Sequence, residues 1–325
     1  MAPETTATPT RVEGSARPTP PADVQQARAL FDQFVVVPTK AMFEPTLPPR
    51  DTYTVNNYNV PVEGGEILVR CLVPVVENKD ETFPVFVYIH GGGMCVGGVE
   101  LDDYPLRCWC VRNKLSVVIV DYRLAPEYPF PIPVDDCHAA LKWMQTVSNT
   151  SLLKADLSKG FIVGGHSSGG NLSAALAHIV RDDPFFEGRR LTGQFLREAG
   201  ICHHDAYPDK YKPKFQSMEE NKDQLPVTKE KLEHVYKWYN APPSDPRFSP
   251  LLISSHEGLP RAYIAAAGLD VLRDDSVVYA EVLREAGVDV KFDLYPDATH
   301  GFHFDSPTIS RDAEEGLRWL LNLTS

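Results

Sequence analysis

The 325-residue chain contains no apolar run that approaches the roughly 18 residues needed to span a bilayer. Residues 1–22 lack the apolar core of a signal peptide, are rich in Pro, Thr and Ala, and show no periodicity. From these absences we expect a cytoplasmic protein with no membrane span and a disordered tail over residues 1–22.

Basic residues are also scarce, since 32 Lys and Arg stand against 44 Asp and Glu and leave a formal net charge of −12. Nucleic acids and anionic membranes bind basic surfaces, so neither is expected as the main partner. The six cysteines form neither a secreted disulfide framework nor a paired zinc motif, which indicates reduced thiols. The sequence leaves open whether the protein is a homodimer.

Short apolar runs, typical of strands covered on both faces, alternate with helical patterns along most of the chain. The runs are Val85–Ile89, Ser116–Val120, Phe161–Val163, Ala262–Ala266 and Val290–Leu294, and they follow two edge-strand patterns at Tyr53–Val60 and Glu66–Val73. The helical patterns are Val134–Val147, Asn171–Arg181, Ser276–Ala286 and Arg311–Leu323. This alternation predicts a single α/β domain over residues 23–325, with a mostly parallel, twisted central sheet and helices on both faces.

Residues 203–248 break this rhythm, because they are polar and hold one amphipathic segment, Lys229–Tyr239. A long insertion at the rim of an α/β sheet is often a lid. The helical pattern Ala22–Phe34 also has an apolar face that must be buried. We therefore expect a helical cap formed by about residues 23–45 and 203–248. Just before the insertion, Ile201 and Cys202 have the pattern of a strand.

The strongest local signal is the run Gly165-His166-Ser167-Ser168-Gly169, which follows an apolar strand and opens a helical pattern. That context is typical of a nucleophile elbow, where glycines allow a sharp turn that lifts the serine Oγ clear of the sheet. Ser167 is thus the candidate nucleophile. The alternative is a Gly/Ser-rich helix start without catalysis.

A second signal, His90-Gly91-Gly92-Gly93, follows directly on the apolar run that ends at Ile89. Glycine backbones there can turn their N–H groups towards a developing oxyanion, and the matching donor would be the N–H of Ser168. A flexible loop and a phosphate cradle are the alternatives. The phosphate alternative fails because no Lys-Ser/Thr pair follows.

Serine is a weak nucleophile and needs a base that is held by an acid. Asp270 follows the apolar run that ends at Ala266, and His300 follows the next one, so both lie where parallel strands end. Ser167, Asp270 and His300 therefore occur in the chain order that this hydrolase architecture requires.

At this point the chain resembles the hormone-sensitive-lipase group of α/β-hydrolases, which includes plant carboxylesterases and arylacetamide deacetylases. The resemblance covers roughly residues 50–323. It is carried by His90–Gly93, Asp121–Glu127 with Pro129–Pro131, Gly165–Gly170, Asp245–Pro250, Gly268–Asp274 and His300–Phe302.

The resemblance implies a capped serine esterase without a metal or an organic cofactor. Carried over by position, Ser167 is the nucleophile, His300 the base and Asp270 the orienting acid. Gly91, Gly92 and Ser168 supply the oxyanion N–H groups. By the same resemblance His90 supports the glycine loop and is not a base.

The sequence departs from the family at two positions near the site. His166 stands where the family usually has an acidic residue, and Met94 stands where many relatives carry an aromatic or bulky residue. We count both as pocket residues, together with the side chains that follow Ile201 and Cys202 or lie on the cap helix, namely His203, His204, Tyr236 and Tyr239.

Two other polar clusters weigh less. His203, His204 and Asp205 are residue types that can bind a metal ion, but no further ligand has convincing spacing, so we expect no metal. Asp102 and Asp103 are expected in a solvated turn.

These features predict a serine hydrolase that cleaves carboxylic esters of small molecules through an acyl-enzyme. Amide or lactone hydrolysis, or acyl transfer, on a natural-product or arylformamide-type substrate stays open, because the motifs define the chemistry and not the acyl group. A small-molecule receptor on the same fold is the alternative from another class. The presence of His300 argues against it, since receptor relatives of plant carboxylesterases have lost that histidine.

Overall fold

The computed structural model describes residues 22–147, 152–301 and 307–323. Its strands form one sheet in the order β1-β2-β4-β3-β5-β6-β7-β8. They span β1 Tyr53–Val62, β2 Gly65–Pro74, β3 Val85–Ile89, β4 Ser116–Asp121, β5 Phe161–His166, β6 Gly193–Arg197, β7 Arg261–Ala267 and β8 Val290–Tyr295. The pairs β1/β2 and β2/β4 are antiparallel and the others parallel, which confirms the predicted fold class.

Helices cover both faces of the sheet, so successive strand residues are buried in two separate apolar clusters. On β3, Val85, Val87 and Ile89 belong to one cluster, and Phe86 and Tyr88 to the other. The alternation follows from the two-residue period of a strand. The first cluster includes residues of α4 (Ile132–Val147), α5 (Ser168–Asp182) and α8 (Arg273–Glu285), and the second those of α3 (Asp103–Arg112) and α9 (Pro307–Leu320).

Strand β6 was not expected from the sequence, and the strand pattern at Ile201 and Cys202 is wrong. Those two residues lie in the loop after β6, where their N–H groups donate to Asp275. β6 itself carries Gln194 and Arg197, which are buried although polar. The strand therefore lacks the continuous apolar run by which its neighbours were found.

The expected solvated turn at Asp102 and Asp103 is also wrong, since both side chains are buried and α3 begins at Asp103. Asp103 pairs with Arg107, at 2.6 Å, and with Arg70, at 3.3 Å. A carboxylate in this position is stable because two guanidinium groups replace its lost hydration.

The remaining α-helices of the described residues belong to the N-terminal segment and to the insertion. The N-terminal segment contains α1 (Ala22–Phe31), a π-helical turn (Asp32–Val36) and α2 (Val37–Phe43). The insertion contains α6 (Ser217–Glu220) and α7 (Lys229–Tyr239). No helix in the described part of the chain is long and apolar enough to cross a bilayer. Residues 1–21 of the expected disordered tail lie outside the described residues.

Two buried histidines join α5 to the loop before β7. His256 Nδ1 lies 3.2 Å from His178 Nε2, and the hydroxyl of Tyr279 on α8 lies 3.4 Å from the same nitrogen. Burial and then the neighbouring His256 lower the pKa of His178 to about 3, and burial also lowers the pKa of His256. When both rings are neutral, one can donate a hydrogen bond to the other, whereas two imidazolium rings would present only donors to each other.

This pair predicts a specific loss of stability in acid. Because the folded-state pKa of His178 lies below its ordinary value, the unfolded chain takes up the proton first as the pH falls below about 6.5. At pH 5, proton uptake by His178 in the unfolded chain lowers the free energy of unfolding by about 2 kcal/mol. We expect His178→Gln to lose less stability than wild type between about pH 7.5 and about pH 5, measured by urea denaturation. The exposed His234→Gln is the control, and equal pH dependence in all three proteins would contradict the assignment.

Candidate active site

Ser167 sits in a strained turn between β5 and α5. Its backbone has φ 53° and ψ −122°, and its N–H donates to the carbonyl of Arg197 at 2.8 Å. A Cβ at Gly165 would lie 2.1 Å from the carbonyl oxygen of Ile89, and a Cβ at Gly169 would lie 2.0 Å from the same atom. Only glycine fits at these two positions, because the backbone of β3 passes directly against the turn. This is the geometry that the sequence motif predicts for a nucleophile elbow.

The three residues of the predicted triad lie in hydrogen-bond contact, although they come from three separate loops. His300 Nε2 is 2.9 Å from Ser167 Oγ, and His300 Nδ1 is 2.7 Å from Asp270 Oδ2. The second oxygen of Asp270 accepts the N–H of Leu272 at 3.0 Å. Asp270 is 1% exposed and His300 8%, so the chain of hydrogen bonds is shielded from solvent. Such an arrangement orients the imidazole to remove a proton from the hydroxyl.

The electrostatics around His300 favour its charged form. Burial lowers the pKa of the imidazole, but the charge and hydrogen bond of Asp270, together with the charge of Glu198, outweigh burial and raise the pKa to about 9. An imidazolium formed during reaction is therefore stabilised where it arises.

The glycine loop after β3 lies beside this turn. Gly92 has φ +113°, and a Cβ there would lie 2.2 Å from the carbonyl oxygen of Val96. The carbonyl of Gly92 accepts the N–H groups of Cys95, at 3.1 Å, and of Val96, at 3.0 Å, which closes the loop. Ser168 begins α5, so its N–H belongs to the first turn of a helix and has no intrahelical acceptor. The predicted donors Gly91, Gly92 and Ser168 thus surround the start of the same helix.

His90 supports the glycine loop from below. Its buried ring stacks on Tyr122 with centroids 4.3 Å apart, and its Nδ1 lies 2.7 Å from the carbonyl of Gly91. The hydroxyl of Tyr122 in turn donates to the carbonyl of His90 at 3.0 Å.

His166 packs between the elbow and the glycine loop. A Cβ at Gly91 would meet the His166 ring at 2.4 Å, so the imidazole lies flush against the loop backbone. On its other side, His166 Nδ1 lies 3.8 Å from the buried carboxylate of Asp102, which also lies 3.8 Å from Arg197. Burial, opposed by Arg197, raises the pKa of Asp102 to about 6. Asp102 and Arg197 thus form a layer of charged side chains behind His166, which the sequence pattern did not indicate.

The other predicted pocket residues lie in three places. Met94 is buried with φ 59°, and its carbonyl accepts the N–H of Ala125 at 2.8 Å. His203, His204 and Tyr236 form one cluster, in which the two imidazoles stack at 4.4 Å and Tyr236 lies 4.8 Å from His203.

Tyr239 is fully buried between Phe130 and Phe248, with ring centroids at 5.7 and 5.3 Å. Its ring therefore packs the cap helix onto the core, so the expectation that it faces the substrate has no support from these contacts.

The ligand atoms of His203, His204 and Asp205 lie within 4.8 Å of one another. His203 Nδ1 already accepts the N–H of Asp205, at 3.1 Å, in the turn that these residues form. The contacts describe a hydrogen-bonded turn, and the absence of a metal stays a prediction.

Sequence reasoning missed two residues at the site. Glu198 is buried beside His300, with Oε2 3.8 Å from Nδ1. Arg28 reaches from α1 to the glycine loop, where it donates to the carbonyl of Cys95 at 2.8 Å and pairs with Glu127 at 2.6 Å. A buried Glu after an unrecognised strand and an Arg in a helix carry no local signal of their role.

The fold and this geometry define a hydrolase of the serine, histidine and acid type. The sequence model of a protein family whose description is alpha/beta hydrolase fold matches residues 86–304. The chain belongs to this family, which confirms the resemblance found in the sequence.

Several curated relatives are named esterases. The chain is 32% identical over 272 residues to a versiconal hemiacetal acetate esterase of Dothistroma septosporum, covering 81% of this chain and 82% of that protein. It is 36% identical over 235 residues to the carboxylesterase NlhH of Mycobacterium tuberculosis, and the match covers 70% of this chain and 68% of that protein.

Solved structures agree with the fold. A vibralactone cyclase superposes with a TM-score of 0.89 at 36% identity and covers 96% of this chain and 92% of its own. An esterase from the archaeon Pyrobaculum calidifontis superposes with a TM-score of 0.77 at 29% identity, and the match covers 92% of this chain and 93% of that one.

The electrostatics of His300 predict the pH dependence of activity. A charged imidazole cannot accept the Ser167 proton, so activity requires the neutral form and rises as the pH passes through the pKa. We expect kcat/KM to increase through neutral pH, to reach half its maximum near the raised value of about 9, and to level off above it. Initial rates on an ester that is stable in base, corrected with a Ser167→Ala blank, measure this limb. An acidic limb below the ordinary histidine value of about 6.5 would contradict the electrostatic account.

Proposed function

We propose that this protein is a serine hydrolase that cleaves carboxylic esters of small molecules through an acyl-enzyme. The observation that carries the proposal is the hydrogen-bonded chain Ser167–His300–Asp270 at the carboxyl edge of the parallel strands. Esterase names among the relatives support the same chemistry.

Acylation begins when His300 Nε2 accepts the proton of the Ser167 hydroxyl. The Oγ then attacks the ester carbonyl, and the carbonyl oxygen becomes an oxyanion. Asp270 holds the imidazolium that results, through the 2.7 Å bond to Nδ1. The imidazolium returns the proton to the leaving alcohol, and the acyl group stays on Ser167.

The oxyanion is stabilised by the N–H groups of Gly91, Gly92 and Ser168. Two features support this assignment: the closed turn at Gly92, and the position of Ser168 in the first turn of α5. Donors fixed in advance at such a site lower the barrier because they need no reorganisation during reaction. Deacylation then repeats the sequence, with water in place of the serine and His300 again as the base.

The N-terminal segment 23–45 and the insertion 203–248 act as a cap over this site. Val235 on α7 lies against Gly93, since a Cβ there would meet its Cγ1 at 2.5 Å. Arg28 anchors α1 to the same loop through Cys95 and Glu127. Both segments therefore rest on the backbone that carries the oxyanion donors.

Short to medium acyl chains, or a compact small molecule, suit a covered site better than an emulsified triglyceride. The relative from Dothistroma septosporum is named for an acetate ester, which supports a short acyl group here. Met94, His166, His203, His204 and Tyr236 are the pocket residues that we propose to shape this preference. Faster turnover of a long-chain triglyceride than of any short-chain ester would contradict it.

One observation points to a second use of the acyl-enzyme, namely the superposition on a vibralactone cyclase. An alcohol can resolve an acyl-enzyme in place of water, so the same residues serve acyl transfer. Product analysis with an added alcohol acceptor separates the two outcomes. A receptor without turnover is disfavoured because all three triad residues are in contact.

We further propose that the protein acts in the cytoplasm. All six cysteines are free and buried, which suits a reducing compartment. The sequence leaves the homodimer open, and sedimentation analysis tests it.

The serine mechanism predicts the effect of removing the nucleophile. We expect Ser167→Ala to lose activity on p-nitrophenyl esters, from acetate to decanoate, by a factor of ~10⁴ or more. Ser158→Ala is the matched control, because Ser158 is exposed and donates to Asp156 in the turn before β5, at the opposite edge of the sheet. Full activity in Ser167→Ala would refute the proposed mechanism.

A further inference from the structure

A second buried carboxylate lies against the catalytic histidine. Glu198 directly follows β6 and is 1% exposed. Its Oε2 lies 3.8 Å from His300 Nδ1 and accepts the N–H of Gly301. The side chain therefore contacts both the ring of His300 and the backbone of the loop that carries it.

The backbone of Glu198 is held in a conformation that a glutamate rarely adopts. Its φ is +50°, in the left-handed region, and its N–H donates to the carbonyl of Ala265 on β7 at 2.8 Å. Such a conformation is strained in a residue with a Cβ, and it persists only where the surroundings fix it. Here the turn directs the carboxylate towards His300.

The neighbouring Arg197 has further partners of its own. Its guanidinium donates to the hydroxyl of Tyr88 at 3.2 Å and faces Asp102 at 3.8 Å. The side chains of two successive residues at the end of β6 thus have different neighbours. Arg197 faces Asp102, and Glu198 faces His300.

We propose that Glu198 is a positioning residue that works with Asp270 as a second acid for His300. It fixes the loop through Gly301 and adds a negative charge next to the imidazolium that forms during both half-reactions. The inference rests on the proposed function, because it assigns His300 as the base.

The charges around the ring agree with this role. Among the described residues, Asp270 and Glu198 face His300 directly. Behind them lie Asp275 next to Asp270, and Asp102 and Arg197 next to Glu198. Both facing groups raise the pKa of His300 against the effect of burial.

The test compares Glu198→Gln with wild type over the full pH range. Glutamine keeps the size of the side chain and an oxygen for the Gly301 N–H, but it removes the charge. On the alkaline plateau, where His300 is neutral in both proteins, we expect kcat to fall about tenfold to a hundredfold with KM unchanged, because the imidazolium that forms during reaction loses a stabilising charge. We also expect the acidic limb of kcat/KM to move to lower pH, since His300 loses one of two charges that favour its protonation.

Glu198→Asp serves as the conservative variant. Aspartate restores the charge and tolerates the left-handed backbone better than most residues. We expect its acidic limb to stay nearer to that of wild type than the limb of Glu198→Gln, and its kcat to be higher than that of Glu198→Gln. If Glu198→Gln does not fold, the comparison of Glu198→Asp with wild type decides, because a shorter carboxylate placed farther from His300 must still move the limb downwards.

A double variant tests whether the two acids share one role. In Asp270→Asn the remaining charge at His300 is Glu198, so adding Glu198→Gln should reduce the residual rate further and lower the acidic limb again. An unchanged limb and kcat in Glu198→Gln would overturn the inference, and so would a loss of rate without any shift of the limb. Because Ser167→Ala tests the ester-hydrolase mechanism separately, these outcomes are distinguishable from a failure of the proposed function.

Discussion

The structure depends on one close backbone contact, between the carbonyl of Ile89 at the end of β3 and the turn at Gly165 and Gly169. No side chain separates the two segments, as the 2.1 and 2.0 Å approaches of an added Cβ show. The contact forces Ser167 into its strained conformation and brings the glycine loop after β3 beside the start of α5. Nucleophile and oxyanion donors are thus placed by the packing of parallel strands, where fixed backbone dipoles can act on the charge that develops.

The elements that the sequence predicted well are those with a purely local signal. Buried parallel strands are apolar along their length, so β3 was found with its observed bounds, and β4, β5, β7 and β8 to within a few residues. The glycine motifs also act locally, because a sharp turn can be recognised from the residues that form it. Chain order after successive strands then sufficed to select Asp270 and His300, because strand order in the sheet brings His300 to Ser167 and Asp270 to His300.

What the sequence did not reveal depends on contacts between distant segments. β6 escaped notice because Gln194 is buried through a hydrogen bond to Pro260, which no local pattern records. Asp102 was expected in solvent because its counter-charge, Arg197, is remote in the chain. Glu198 carries no motif, and only the folded arrangement shows that its carboxylate lies beside His300. Polar residues whose partners lie elsewhere in the chain are thus the main source of error.

The central claim is that an acyl group is transferred to Ser167, and the most direct test is to trap it there. Treatment with a p-nitrophenyl carbamate leaves a carbamoyl group that water removes slowly, so the modified enzyme accumulates. Digestion and mass spectrometry then locate the group. The account predicts one carbamoyl group on the Ser167 peptide and none in Ser167→Ala. A carbamoyl group on another residue, or ester turnover by an enzyme that is never modified, would contradict it.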